Sequence, residues 1–148
     1  MDNFSGIQLY TYEGRPLSNP KFASLRTEFL DSQSVAISND TLAIIDRGER
    51  KSKIIQIIDV NNGKQIGEPI IHNMEIMEIA LNQYGSILDR KIVFIDRNRD
   101  LYISPIKRPE FFKLATMVDS VKWNDQTDML VAMADSKFVT WYYPSIVY

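Results

Sequence analysis

Few residues in this 148-residue chain could perform chemistry. His72 is the one histidine, and histidine is the side chain that enzymes use most often as a general base. No serine or carboxylate stands near it in a spacing typical of a catalytic site. The chain has no cysteine, which excludes thiolate zinc sites and cysteine nucleophiles. We therefore expect no catalytic residue, and we predict that the ring of His72 satisfies buried backbone groups in a loop.

Asp96, Asn98 and Asp100 have the one-three-five spacing of a calcium-binding loop. Such a loop also needs a glycine at its sixth position and a bidentate glutamate at its twelfth. Leu101 and Lys107 occupy those positions. The six glycines of the chain are scattered and form no phosphate-binding loop. The segment is therefore predicted to be a turn between two strands, and the sequence predicts no metal site, no cofactor and no small-molecule ligand.

Basic residues cluster in two loops, each of which follows an apolar segment that ends in aspartate, at Asp46 and at Asp96. If these segments are stacked repeats, equivalent loops emerge on the same face and form a positive patch. Such a patch could attract an acidic partner and speed the encounter. The alternative is a pair of ordinary solvated loops, because acidic residues are interspersed and exposed charges commonly contribute little. The candidate partner-binding residues are Arg47, Arg50, Lys51, Lys53, Arg97 and Arg99.

The composition excludes several classes of protein. Apolar residues make up 45% of the chain and charged residues 24%, which is typical of a globular domain. The 17 basic and 19 acidic residues give a net charge of −2, whereas nucleic-acid-binding domains usually carry a strong basic excess. No apolar run approaches the roughly 18–20 residues of a membrane span, and residues 1–5 do not resemble a secretory signal. We expect neither nucleic-acid binding nor membrane insertion.

The elements that position these residues are predicted to be strands. Short runs rich in isoleucine and valine, such as 54–58, 91–95 and 137–141, are bounded by Asn, Asp and Gly. Runs of this length and composition between turn residues are typical of β-strands. The best helix candidate, 22–30, fits a short turn about as well. The sequence therefore predicts an all-β fold.

Three copies of one pattern recur at intervals of about 40–45 residues, which is the period of a propeller blade. The first strand of each copy begins at Val35, Ile79 and Val121. The second strands are aligned by their terminal aspartates, in the segments 43–46, 93–96 and 132–135. One copy fits the spacing of a WD repeat, with His72 followed by regularly placed apolar residues, whereas the next copy has Leu114 at the histidine position. The predicted apolar core between blades is Ile76, Ile79, Leu81, Val118, Val121 and Trp123.

The chain holds too few repeats to close a ring, because propellers close with four to eight blades. We predict a WD-repeat β-propeller fragment of about three to four blades, incomplete and not a closed ring, that is a piece of a larger protein or pairs with the rest of a propeller. The predicted divisions are 1–34, the end of a blade and a connection; 35–71 and 72–114, two blades; and 115–148, a truncated blade.

Several short sequence segments are more specific than the general repeat pattern. They are LYTYEGR at 9–15, SNDTLAI at 38–44, EIALNQ at 78–83, IDRNRDL at 95–101 and VTWYYP at 139–144. In these segments the chain resembles the intraflagellar transport protein 80 family, which are WD-repeat subunits of complex B, over roughly residues 7–148. The resemblance implies two N-terminal β-propellers followed by a helical solenoid, with this chain covering part of the second propeller. It also implies other complex B subunits as partners, a role in cilium assembly and ciliary cargo transport, and a location in the cytoplasm and cilium, at the axoneme and basal body region.

The function predicted from the sequence is that of a non-catalytic protein-interaction scaffold. The alternative is a propeller adaptor of another cytosolic coat or sorting complex. A third hypothesis is a propeller hydrolase, since a fold alone does not decide function. The single histidine and the lack of a nucleophile motif argue against the hydrolase.

Overall fold

A computed structural model describes residues 9–11, 13–18, 33–46, 52–83, 90–107, 110–124 and 126–142. Every regular element in these ranges is a β-strand, and they contain no helix that could cross a bilayer. The strands are β1 (Leu9–Tyr10), β2 (Pro16–Ser18), β3 (Val35–Ile37), β4 (Thr41–Asp46), β5 (Ile54–Asp59), β6 (Ile70–Ile71), β7 (Ile76–Leu81), β8 (Lys91–Asp96), β9 (Leu101–Pro105), β10 (Phe112–Ala115), β11 (Val118–Trp123), β12 (Met129–Ala134) and β13 (Lys137–Tyr142).

The strands form an N-terminal hairpin and three larger antiparallel sheets, each built from strands that are consecutive in the chain. The hairpin is β1-β2, the first sheet β3-β4-β5-β6, the second sheet β7-β8-β9-β10 and the third sheet β11-β12-β13. The fourth strands, β6 and β10, are the shortest strands of their sheets. The all-β prediction is confirmed, and the described sheets form no closed ring. The helix candidate at 22–30 lies outside the described residues.

The sheets stack face to face with an apolar layer between neighbours. Successive side chains of a strand point to opposite faces, so each sheet has a back face toward the preceding sheet and a forward face toward the following one. The layer between the first and second sheets contains Ala43, Ile45, Ile55, Ile57, Ile79, Leu81, Ile92 and Phe94. The layer between the second and third sheets contains Val93, Ile95, Leu101, Ile103, Val118, Trp123, Leu130 and Ala132.

The predicted core positions face these layers. Ile76, Ile79 and Leu81 are buried between the first and second sheets. Val118 and Trp123 are buried between the second and third sheets, and Val121 packs against the same layer while partly buried. Area removed from water stabilises the stack by about 25 cal/mol per Å² of apolar surface. The prediction of these positions as core between blades is confirmed.

One part of the repeat alignment is wrong by one residue. Ile76 pairs with Asp96 in the second sheet, and its equivalent Val118 pairs with Ala134 in the third. Ala134, not Asp135, therefore stands in the place of Asp96. Asp135 and Ser136 form a two-residue hairpin turn in which both φ angles are positive, 51° and 63°. Hairpins with such turns commonly place Asn or Asp at these positions, and Asp135 accordingly lies in the turn and not at the strand end.

Candidate interaction surfaces

His72 is a buried structural residue. Its Nε2 lies 2.9 Å from the Asp96 Oδ2, and the side chains of both residues are almost completely buried. Three aromatic rings surround the imidazole, with ring centroids 4.8 to 5.4 Å away: Phe94, Tyr102 and Phe111. Edge-on ring packing of this kind stabilises a buried ring beyond its area alone. The predicted loop placement of His72 is confirmed, although its partner is a carboxylate and not a backbone group.

Asp96 also organises the turn that follows it. Its Oδ1 accepts hydrogen bonds from the backbone N–H groups of Asn98, at 2.9 Å, and Asp100, at 3.1 Å. Both carboxylate oxygens of Asp96 are therefore used by the fold. The described residues contain no group of three or more His, Cys, Asp or Glu side chains that could hold a metal ion. The segment is a turn between β8 and β9, as predicted.

The loops that carry the basic residues meet at one end of the stack, which we call the loop end (residues 52–53, 72–75, 97–100, 116–117 and 135–136). Backbone hydrogen bonds join these loops in series. The N–H of Ile76 donates to Ser52 O, that of Arg97 to Glu75 O, and that of Val118 to Arg99 O, each at 2.8 Å. The loop end is thus a continuous surface with a fixed backbone.

Three of the six candidate basic residues lie at this end. Lys53, Arg97 and Arg99 are exposed there, whereas Arg47, Arg50 and Lys51 lie outside the described residues. Arg97 pairs with Glu75 at 3.5 Å. Arg99 forms an ion pair with Asp119. These ion pairs reduce the positive charge of the surface, and the role of the six residues in partner binding stays a prediction.

Sequence reasoning missed an ion pair between the first and second sheets, in which the arginine is buried and the aspartate is partly buried. Arg90 is 2% exposed and holds Asp40 with two hydrogen bonds, Nη2 to Oδ2 at 3.0 Å and Nε to Oδ1 at 3.2 Å. Its Nη1 donates to Asn82 O at 2.7 Å. Burial raises the pKa of Asp40, but hydrogen bonds from Arg90, Thr41 and Ser38 and the charge of Arg90 outweigh this effect and lower the pKa below 3.8.

Sequence reasoning also missed a groove of about 590 Å³ beside β11. Glu78 of β7 lines it, and burial raises the pKa of this carboxyl, although the Val121 backbone N–H opposes the effect by donating to it. The other carboxyl oxygen, Oε2, is buried without a hydrogen-bond partner in the described part of the chain. The one signal in the sequence was an acidic residue inside an apolar strand, between Ile76 and Ile79.

Comparison with known proteins identifies the family. The sequence matches the family described as IFT80 second beta-propeller over residues 1–148. The chain belongs to this family. The stacked sheets are therefore part of a β-propeller.

Two curated members of the IFT80 family are similar to the chain along nearly its whole length. The intraflagellar transport protein 80 homologs of Rattus norvegicus and Mus musculus are each 46% identical to it over 149 aligned positions, which cover 97% of the chain. The chain spans only 19% of the length of these relatives. The activity and partners of the whole protein are therefore matters for proposal.

The fold of this IFT80-family chain is also similar to a solved structure of unrelated sequence. The crystal structure of the computationally designed Ika8 protein matches it with a TM-score of 0.56 and 12% sequence identity. The match covers 97% of the chain and 44% of the designed protein. At this identity the likeness concerns the fold alone.

Proposed function

We propose that this chain is part of a non-catalytic β-propeller that binds other subunits of intraflagellar transport complex B. The match to the IFT80 second beta-propeller over residues 1–148 carries the proposal. The complex would act in cilium assembly and ciliary cargo transport, in the cytoplasm and in the cilium at the axoneme and basal body region. Residues 35–71, 72–114 and 115–148 would each belong to one blade, after the end of a blade and a connection at 1–34.

The proposed mechanism is geometric. A stack of sheets presents loops on a rigid support, and such loops are where recognition residues are most often found. The series of hydrogen bonds through Ser52, Glu75 and Arg99 fixes the backbone of the loop end before any partner arrives. Little ordering is then required on binding, and this lowers the free-energy cost of association.

The chemistry of the loop end favours an acidic partner. Lys53 is exposed, and the ion pairs of Arg97 and Arg99 are themselves exposed. Exposed ion pairs contribute only about 0–1 kcal/mol, so a carboxylate of a partner can replace Glu75 or Asp119 at little cost. We propose Arg47, Arg50, Lys51, Lys53, Arg97 and Arg99 as the residues that meet this partner.

The surroundings of His72 support the non-catalytic part of the proposal. The side chain is 6% exposed, its Nε2 is engaged by Asp96, and three aromatic rings enclose it. A general base must come within hydrogen-bond reach of the proton it removes. A substrate would have to displace the ring packing to reach this imidazole.

The experiment is a charge reversal in the full-length protein. Replacing Arg47, Arg50, Arg97 and Arg99 with glutamate should abolish co-purification of the complex B subunit that docks there, and should shorten cilia in cells that depend on the variant. Arg15→Glu, a reversal of an exposed arginine in the N-terminal hairpin, is the matched control and should bind normally. Unchanged association of the fourfold variant at low salt, where charge effects are strongest, would contradict the role of these residues.

A further inference from the structure

The loop end concentrates the strained backbone of the described residues. Every described residue other than glycine with a positive φ lies there, with φ between 51° and 67°: Ser52, Arg99, Met117, Asp135 and Ser136. Elsewhere in the described ranges the positions of positive φ are glycines, namely Gly14, Gly63 and Gly67. Glycine adopts this left-handed conformation freely, whereas a side chain makes it costly. Side chains are kept at such positions most often where they have a function.

Two of the five residues have long side chains, and turn chemistry does not account for them. Ser52, Asp135 and Ser136 are short polar residues, and the last two form the tight hairpin turn. Turn positions of positive φ favour Gly, Asn and Asp, not arginine or methionine. The Arg99 side chain is 47% exposed and Met117 is 48% exposed, so neither is there mainly to fill the core. An exposed ion pair such as that of Arg99 offsets the strain only in part.

Arg99 and Met117 are joined at the junction of the second and third sheets. The Val118 N–H donates to Arg99 O at 2.8 Å, and the Asp135 N–H donates to Met117 O at 3.0 Å. The Arg99 Nη2 donates to the same Met117 oxygen at 3.4 Å and pairs with Asp119. The backbone of both residues is therefore fixed by described strands on each side. Because the junction lies at strand ends and not on a sheet face, a sheet stacked further along would leave it uncovered.

We propose that Arg99 and Met117 are the centre of recognition at the loop end, and that they bind a partner segment in which a carboxylate stands beside an apolar side chain. This inference rests on the proposed function and narrows it to one arginine and an apolar contact next to it. The planar guanidinium of Arg99 presents a fork of N–H donors that matches a carboxylate. The flexible apolar side chain of Met117 adapts to the neighbouring residue of the partner.

Asp119 makes the proposal directional. Its side chain is as exposed as that of Arg99, 47% for each, and it occupies the guanidinium that the partner carboxylate would use. It also repels that carboxylate. Neutralising Arg99 and neutralising Asp119 should therefore change the affinity in opposite directions, which a purely apolar contact would not show. A purely electrostatic contact, in turn, would not respond to the loss of the Met117 side chain.

The test uses the full-length protein that carries this chain and the complex B subunits that co-purify with it, identified by mass spectrometry and then titrated as purified proteins. Arg99→Gln should weaken the affinity for one of these subunits about 10- to 100-fold, the range of one charge-assisted hydrogen bond. Met117→Gly should weaken the same affinity about 10-fold, as expected for an apolar residue at the centre of an interface. Asp119→Asn should tighten it about two- to threefold, the effect of one exposed charge.

A second measurement separates this role from a structural one. Met117→Gly should stabilise the junction while it weakens binding, because it relieves the left-handed strain. Hydrogen exchange of β11 and β12 in the full-length protein should then become slower. Ser136→Gly is the matched control, since it relieves the same strain but removes only a short side chain, and it should slow exchange without loss of affinity. Arg15→Gln, which neutralises an exposed arginine of the N-terminal hairpin, should leave the affinity unchanged.

The outcomes distinguish this inference from the proposed function. If the native full-length protein recovers no complex B subunit, both fail. If it recovers them and the fourfold charge reversal loses one, while Arg99→Gln or Met117→Gly binds as the native protein does, the basic surface stands and this inference is overturned. Faster exchange in Met117→Gly would show that the methionine serves the fold, and would overturn the inference as well.

Discussion

The second and third sheets share the order and register of their first three strands, yet a buried polar pair holds the loops of the second sheet and is absent from the equivalent positions at the third. His72 and Asp96 pair inside a cage of aromatic rings in the second sheet. The residues that stand in the same relation to the third sheet are Leu114, in β10 of the second sheet, and Ala134 of β12, and both pack against the apolar layer as partly buried residues. Strand pairing and apolar faces are therefore enough to build the stack. The buried pair adds local stability to the loops of one sheet.

The turn between the second and third strands of each sheet explains why the third sheet needs no equivalent of the His72–Asp96 pair. The longer turn after Asp96 leaves N–H groups that need an acceptor, and the aspartate provides it at Asn98 and Asp100. The turn at Asp135 and Ser136 closes with two residues of positive φ, and its Asp135 N–H donates to the backbone O of Met117, so no side-chain carboxylate is its acceptor. The longer turn after Asp96 requires a carboxylate as hydrogen-bond acceptor, whereas the stacking of the sheets does not.

The largest expected effect comes from removing Asp96. Asp96→Ala should lower the free energy of unfolding by about 3 kcal/mol, because it leaves His72 buried without its partner and two backbone N–H groups uncapped. Urea unfolding followed by circular dichroism measures this. Asp135→Asn, which tolerates positive φ, is the control in the third sheet and should change stability by less than about 0.5 kcal/mol. Similar losses at both aspartates would break the comparison.

The ion pair between the first and second sheets should rank next. Arg90→Met should cost about 2 kcal/mol, since it leaves Asp40 partly buried without its charged partner. Because the folded-state pKa of Asp40 lies below 3.8, its contribution is present above about pH 4 and is lost as the pH falls through the folded value. The native protein should therefore lose stability between pH 4 and lower pH more steeply than the variant. Parallel pH profiles of unfolding, measured by thermal melts, would count against this role for Arg90.

Replacing His72 and Asp96 with the residues found at the equivalent positions, Leu114 and Ala134, tests the comparison further. His72→Leu in the Asp96→Ala background copies Leu114 and Ala134, and it should recover about 1 kcal/mol of the loss, because it removes a buried polar ring that has no partner. The uncapped N–H groups of the turn remain, so recovery should be incomplete. A double-mutant cycle in urea gives the coupling energy. A double variant less stable than Asp96→Ala alone would show that the imidazole contributes mainly by packing.

The smallest effect is expected at Met117, directly before the first strand of the third sheet. Met117 has a φ of 56°, a region that glycine adopts without strain and a methionine does not. Met117→Gly should therefore raise stability by about 0.5–1 kcal/mol. Met77 is similarly exposed, 45% against 48%, and lies in β7, so Met77→Gly should lower stability by about 0.5–1 kcal/mol. Thermal melts of the two variants should shift in opposite directions, and a shared direction would contradict the strain at Met117.

Much of this fold was predictable because it repeats. The strands, the period and the core residues such as Ile79 and Trp123 follow from apolar patterns that each sheet carries locally. The register of β12 was not predictable from matched aspartates, because a shorter turn placed Asp135 beyond the strand end. The Arg90–Asp40 pair was hidden because its members are 50 residues apart and Arg90 belongs to no repeated position. The unpartnered oxygen of Glu78 could not be predicted either. It results from packing between two sheets, and the position of an acidic residue in an apolar strand does not show whether its carboxyl is buried.

The backbone hydrogen bonds that join the loop end have a common direction along the chain. Each donor comes later in the sequence than its acceptor: Ile76 after Ser52, Val118 after Arg99, and Asp135 after Met117. The side-chain bonds from Arg90 to Asp40 and from Trp123 to Ala80 run the same way, whereas the Arg99 side chain donates to Met117 O and Asp119, which come later in the chain. Each sheet that leaves the ribosome therefore finds the acceptors of its backbone N–H groups already made in the preceding part of the chain, so that synthesis from the N-terminus can assemble the stack in the order of translation.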